Sequence, residues 1–296
     1  QIHRKGPGSV RRSDAPKGWS DTMSKAIEKC RVGNIDIAFR WDGKSDGPVV
    51  MMAHAMGTSH RIWDPQVEAL SSRYHLLRYD WRGHGDTDAP PGPYSLEQFE
   101  LDAVGLMDAL NIEAVHWVGI STGGMIGQGL GTNHSARISS LTLCNTTSQA
   151  DDWYRGWVAE RQAVVQESGM DAVWDMTDRL WFTDDYVKSK PAGYHAVRDV
   201  FVGTQIPGYL GGTSAVADLA YRDELHRISC PTHIIAAGAD PVTPVERSTD
   251  IHERIPGSKL TVIEDQHHFS NVEVPEEFNL VLRQGLDDML DGSPEA

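Results

Sequence analysis

The sequence is poor in cysteine and in positive charge, and it has no long apolar run. Its three cysteines, Cys30, Cys144 and Cys230, stand far apart and none forms a C-x-x-C pair. That argues against a disulfide framework and against a thiolate zinc site, and it fits a reducing compartment, so a cytoplasmic protein without a bound metal is expected. Lys and Arg number 27 against 42 Asp and Glu, a net charge of −15 with histidine neutral. So acidic a surface repels nucleic-acid phosphates and anionic membranes; a small molecule is the expected partner instead. No apolar stretch approaches the roughly 20 residues of a membrane span. The N-terminus is polar and basic (His3, Arg4, Lys5, Arg11, Arg12) and lacks the apolar segment of a secretory signal. The N-x-S/T sequons at Asn133 and Asn145 are therefore read as chance. No internal repeat stands out, and oligomeric state is open, a homo-oligomer included.

What is present is ordinary globular composition, 40% apolar and 23% charged. Residues 1–28, rich in Gly, Pro, Ser and Arg, read as an arm or linker. From there strand and helix patterns alternate. Residues 35–41 alternate as a strand, and the run Val49, Val50, Met51, Met52 fits a strand buried on both faces. Residues 61–72 are helix-like and 74–79 strand-like. Ser95, with Gln98 three residues on, opens a helix through a capping box. Strands follow at 114–119, 138–143, 233–237 and 260–263, with helices at 123–130, 245–254 and 276–290. Such alternation implies an α/β fold with a mostly parallel sheet flanked by helices. Residues 149–227 break the rhythm. They contain Trp153, Trp157, Trp174 and Trp181 and no clear buried strand. The expected organisation is a core over 29–148 and 228–296, with an α-helical cap over 149–227 inserted between two strands.

The run Gly119-Ile120-Ser121-Thr122-Gly123-Gly124 carries the strongest chemical signal. It lies between a strand and a helix, the context that G-x-S-x-G requires. The glycines permit a sharp turn from which Ser121 projects, and the N–H of Thr122 stands at a helix N-terminus, able to donate to an oxyanion. The competing reading, a Gly-rich turn with an incidental serine, is weakened by the strand before and the helix after. A serine nucleophile needs a base. His267 and His268 both follow the last strand, at the sheet edge where ligands bind in parallel sheets, and they compete for that role and with a plain surface-loop reading. Asp240, in a loop at the same edge, can orient the base, although an aspartate before a proline is also a common turn residue. The loop after residue 53 should supply a second oxyanion donor. By position we assign it to the backbone N–H of Met56.

These segments resemble the α/β-hydrolase superfamily over nearly the whole chain from about residue 30. The resemblance implies an eight-stranded sheet and the chain order Ser, Asp, His for the catalytic groups. Asp80-Trp81-Arg82-Gly83-His84-Gly85 is similar to the superfamily's structural D-x-R-G-H-G turn. Within the superfamily the sequence resembles 3-oxoadipate enol-lactonases at four places. These are Met56-Gly57-Thr58 with Trp63-Asp64-Pro65-Gln66, Cys144-Asn145-Thr146, Trp181-Phe182-Thr183, and His268-Phe269-Ser270-Asn271-Val272-Glu273-Val274-Pro275. The register of the last stretch selects His268 over His267, so the resemblance implies a Ser121, His268, Asp240 triad. The sequence departs from its relatives at Ala55, where many have Gly, at Thr87, where Ser is usual, and at Gln266-His267, where small residues are common.

The implied activity is hydrolysis of a lactone or ester through an acyl-enzyme, with no metal or organic cofactor. A carboxylesterase, an amidohydrolase or a carbon–carbon bond hydrolase would use the same groups, and a hydrolase-like binding protein would need none of them. Ser121, where some relatives have Asp, argues against dehalogenase and epoxide hydrolase chemistry. A carboxylated substrate needs a cation, for which Arg155 and Arg161 in the cap are candidates. Trp153, Trp157 and Trp181 are candidates to shape the pocket, against the plainer reading that they pack the cap.

Overall fold

A computed structural model describes residues 26–292. The arm expected over 1–28 therefore lies almost wholly outside the described residues. Its last position, Glu28, begins a strand that the sequence pattern did not show.

In chain order the elements are β1 (Glu28–Val32), β2 (Ile35–Gly43), β3 (Val49–Ala53), α1 (Asp64–Leu70), β4 (His75–Tyr79), α2 (Leu96–Ala109), β5 (Val115–Ile120), α3 (Thr122–Asn133) and β6 (Ile138–Cys144). Five helices follow: α4 (Asp152–Asp175), α5 (Asp178–Trp181), α6 (Asp184–Ser189), α7 (Ala192–Gly203) and α8 (Ile206–Ala217). The chain then returns to the sheet with β7 (Thr232–Ala237), α9 (Val245–Arg254), β8 (Lys259–Ile263), α10 (Ser270–Glu273) and α11 (Pro275–Asp291). The eight strands form one sheet in the order β1-β2-β4-β3-β5-β6-β7-β8. β1 and β2 pair antiparallel, β2 pairs antiparallel with β4, and every later pairing is parallel.

Alternation along β3 explains the two-sided burial. Met51 and Ala53 join one apolar cluster with Leu77, Tyr79 and Trp117, while Val50 and Met52 join the other with Leu76, Val118 and Ile120. Successive side chains of a strand point to opposite faces, so an unbroken apolar run is what a sheet covered on both sides demands. Each such side chain contributes roughly 1.5–3 kcal/mol on burial. α2 starts at the expected capping box: Gln98 N–H donates to the Ser95 hydroxyl at 3.2 Å, and Ser95 N–H donates to Gln98 Oε1 at 3.1 Å. α4 is broken at Gly169, whose φ is 80°. The helices α4–α8 leave the core after β6 and rejoin it before β7, and an isolated bridge between Gln149 and Ala220 closes their base. Among the described residues no helix is long and apolar enough to cross a membrane.

Candidate active site

The site begins where β5 ends. Ser121 follows Ile120 with φ 54° and ψ −114°. A non-glycine residue at positive φ is sterically costly and persists only where its surroundings impose it. A Cβ at Gly119 would stand 2.1 Å from the carbonyl oxygen of Gly123, and one at Gly123 would stand 2.2 Å from that of Ala53. Only glycine lets α3 press so closely on the ends of β5 and β3, and the sharp turn at Ser121 is the result. Ser121 N–H donates to the Cys144 carbonyl at 2.9 Å, and its own carbonyl accepts from Met125 N–H at 3.0 Å and from the Thr146 hydroxyl at 2.8 Å.

Strand order brings the other groups to the same edge. Ile120 pairs with Cys144, Cys144 with Ile235, and Ala237 with Ile263, so β5, β6, β7 and β8 end side by side. Asp240 lies just beyond β7 and His268 beyond β8, each almost fully buried. His268 Nδ1 donates to Asp240 Oδ2 at 2.6 Å. That bond assigns the proton to Nδ1 and leaves Nε2 as an acceptor. Asp240 accepts three further bonds: from Val242 N–H at 2.8 Å, Thr243 N–H at 3.1 Å and the Thr243 hydroxyl at 2.6 Å. Burial works to raise its pKa. The adjacent His268 and the bonds from His268 and Thr243 outweigh that, and the carboxyl is held below its ordinary range. No hydrogen bond joins the Ser121 hydroxyl to His268 among the described residues. The rival His267 turns elsewhere, its Nδ1 donating to the Arg179 carbonyl at 3.1 Å.

The loop after β3 faces the turn at Ser121. Ala53 pairs with Gly119, so Met56 and Thr122 each lie three residues past partnered strand positions. Thr122 opens α3, where the first amides have no intrahelical partner. The loop is held from within. His54 Nδ1 donates to the Ala55 carbonyl at 2.8 Å and its Nε2 accepts from Trp81 N–H at 3.2 Å, while the Thr58 hydroxyl donates to Ala55 at 2.8 Å. Burial pushes the His54 pKa down to about 4, so this imidazole is neutral. The cap closes on the loop from above. Gly57 has φ +68° and a Cβ there would stand 2.5 Å from the Phe201 ring; the Thr204 hydroxyl donates to the Gly57 carbonyl at 3.2 Å. A Cβ at Gly212 of α8 would stand 2.9 Å from Met56 Sδ.

The cap residues divide. Trp153 is 52% exposed, and Arg155 pairs with Asp152 and the Ala150 carbonyl. Both residues are exposed on α4, and among the described residues no contact joins either of them to Ser121, Asp240 or His268. Trp157 and Arg161, one helical turn apart, face inward. The Arg161 guanidinium lies 3.7 Å over the Trp157 ring, donates to the Met176 carbonyl at 3.2 Å, and its buried Nε has no partner among the described residues. Burial, the main influence, lowers its pKa. Trp181 is buried against Phe269, the neighbour of His268, with ring centroids 4.4 Å apart; Phe269 N–H donates to the Trp181 carbonyl at 3.0 Å.

Asp80 in the D-x-R-G-H-G turn is a structural anchor. It accepts from His60 N–H and Nδ1 and from Asp86 N–H, while Arg82 forms a bidentate pair with Asp102. Sequence reasoning missed Thr243, whose place three residues after Asp240 is a turn signal that could have revealed it. Among the described residues no group of three or more His, Cys, Asp or Glu is arranged to hold a metal.

Residues 48–275 match the family of the alpha/beta hydrolase fold. The chain is 36% identical over 239 residues to 3-oxoadipate enol-lactonase 1 of Acinetobacter baylyi, covering 80% of this chain and 88% of that one. It is 29% identical to a putative carbamate hydrolase, RutD, of a Caulobacter species, covering 79% and 89%. Among solved structures, the enol-lactonase from Burkholderia xenovorans LB400 superposes with a TM-score of 0.85 at 32% identity, covering 88% of this chain and 100% of that one.

Proposed function

The chain belongs to the α/β-hydrolase family, and on that premise we propose that it is a serine hydrolase cleaving a lactone or ester of a small carboxylated substrate. The observation that carries this reading is the His268–Asp240 bond of 2.6 Å at the same strand edge as the strained Ser121 turn. In this reading His268 Nε2 takes the Ser121 proton as the hydroxyl oxygen attacks the acyl carbon. The Thr122 and Met56 N–H groups receive the oxyanion, each such donor contributing about 2.7–4 kcal/mol to transition-state stabilisation. Asp240 keeps the Nδ1-H tautomer and stabilises the imidazolium. His268 then passes its proton to the leaving oxygen. In a lactone that oxygen stays tethered to the acyl group. Water, deprotonated by His268, cleaves the acyl-enzyme and returns Ser121.

Two features support a carboxylated substrate. The relative from Acinetobacter baylyi bears the name of a 3-oxoadipate enol-lactonase, and adipate is a dicarboxylate. Arg161 is a buried cation without a carboxylate partner among the described residues, on a helix that packs against α8, which in turn covers Met56. A protein of net charge −15 repels an anion at long range, so a local cation of this kind would do the binding. The similarity to a carbamate hydrolase favours amide-type substrates as the second reading.

The test compares wild type with Ser121→Ala, His268→Ala and His267→Ala on enol-lactones, nitrophenyl esters and carbamates. Lactone turnover that Ser121→Ala and His268→Ala abolish and His267→Ala retains is the expected result. Full activity in Ser121→Ala ends the nucleophile assignment; turnover of carbamates alone replaces the substrate assignment.

A further inference from the structure

Three residues between the nucleophile and the base are built more tightly than a strand end requires. Cys144 ends β6, and its carbonyl accepts the Ser121 N–H at 2.9 Å. Thr146 returns a bond to the Ser121 carbonyl at 2.8 Å. Between them Asn145 is fully buried and sits at φ 43°, in the left-handed region. Its N–H donates to the Ile235 carbonyl of β7 at 2.9 Å. Its side-chain Nδ2 donates to the His268 carbonyl at 2.6 Å and to the Ser270 hydroxyl at 3.3 Å. Its Oδ1 is buried without a partner among the described residues.

This arrangement carries two local costs, positive φ on a non-glycine residue and an unpaired buried acceptor, and both persist only if the surroundings over-determine the site. The amide orientation follows from chemistry. A carbonyl oxygen only accepts, so the group facing His268 must be the NH2, and flipping the amide would set two oxygens against each other. Other asparagine-like choices fail for the same reason: an aspartate of equal shape has no N–H to offer. Asp240 fixes the His268 ring through Nδ1, but a ring can be fixed only relative to its own backbone. Asn145 fixes that backbone, and it does so from a strand end whose neighbours on either side bond Ser121.

We infer that Asn145 is a positioning residue: by holding the His268 main chain to the end of β6, it sets the approach of the imidazole to Ser121. This rests on the triad reading above. Misplacing a catalytic group by about 1 Å costs on the order of 100-fold in rate, and that scale sets the expected effect.

Asn145→Gly is the informative change, because glycine adopts the left-handed conformation without strain while removing the side-chain donor. Asn145→Asp keeps the shape and removes the donor, and serves if the glycine variant folds poorly. Both should lower kcat on the order of 100-fold with KM changed by no more than about twofold. The loss should not multiply with that of His268→Ala, since a residue acting through the imidazole has nothing left to position. Wild-type kcat in Asn145→Gly, or a loss that multiplies fully with His268→Ala, overturns the inference. Full activity in His268→Ala would instead overturn the triad reading, so the two failures are distinguishable.

Discussion

The strand ends and the cap hold their residues by different means. At the strand ends, position comes from main chain. Ser121, Met56 and Thr122 are placed by parallel register and by two glycines that admit helix α3, and the His268 backbone is tied to β6. In the cap, position comes from ring packing. Trp181 is set by Phe269, Trp174 and Phe201, and Arg161 by the face of Trp157. A side chain at Gly119 or Gly123 would collide with backbone, whereas packed rings can be exchanged for others of similar volume. We propose that the first region sets the chemistry and the second the choice of substrate.

Changes at the strand ends should therefore damage kcat, and changes in the cap should act on KM. The largest effect is expected for Asp240→Asn, which leaves the shape but supports the wrong imidazole tautomer: kcat should fall about 10⁴-fold with KM little changed. Steady-state kinetics read this directly, and a fall in kcat below tenfold would place the orienting group elsewhere.

Stability against pH separates the regions next. His54 and His233, both in the core, are buried and pushed by desolvation to about 4 from an ordinary 6.5. A folded pKa below the unfolded one means that the unfolded chain binds more protons. Their contribution is full above 6.5 and is lost as pH falls towards 4, roughly 3 kcal/mol for each group. The cap histidines His195 and His226 are exposed. Melting temperature should thus decline from pH 7 to pH 4.5, and His233→Gln, which can still bond Thr261, should flatten the slope. A flat profile in the wild type would contradict the neutral buried pair.

In the cap, Arg161→Gln should raise KM for carboxylated substrates roughly 10-fold or more, the scale of a lost charge-assisted bond, and leave neutral nitrophenyl esters within twofold. Equal effects on both would mean that Arg161 only packs against Trp157. The smallest effect is expected for Trp153→Ala. With its side chain in solvent, stability should change by no more than about 0.5 kcal/mol and kinetics by less than twofold.

The same contrast decides what was legible in the sequence. Strand and helix patterns from residue 35 onward, the capping box at Ser95 and the turn at Ser121 all leave signatures in residue type, because each depends on a periodicity or on glycine. β1 did not, since it is a short edge strand in which Glu28, Lys29 and Arg31 are exposed and only Cys30 and Val32 are partly buried. Thr243 and Asn145 escaped because a single hydroxyl or amide has no pattern around it. Asn145 even resembled a glycosylation site, although its side chain is buried. The cap tryptophans were visible as a group, but which of them face inward depends on how α4 sits on α7 and α8, and that leaves no trace in spacing.

Gly57 joins the two regions. Helix α7 bonds its carbonyl through Thr204 and rests Phe201 on its α-carbon, one residue from the amide assigned to the oxyanion. Helix α7 and the loop that carries the Met56 amide therefore meet at Gly57. Any movement that lifts α7 off this loop must break the Thr204 bond and free the residue beside Met56. Under the proposed reading, lifting α7 would loosen the same loop that presents the Met56 amide.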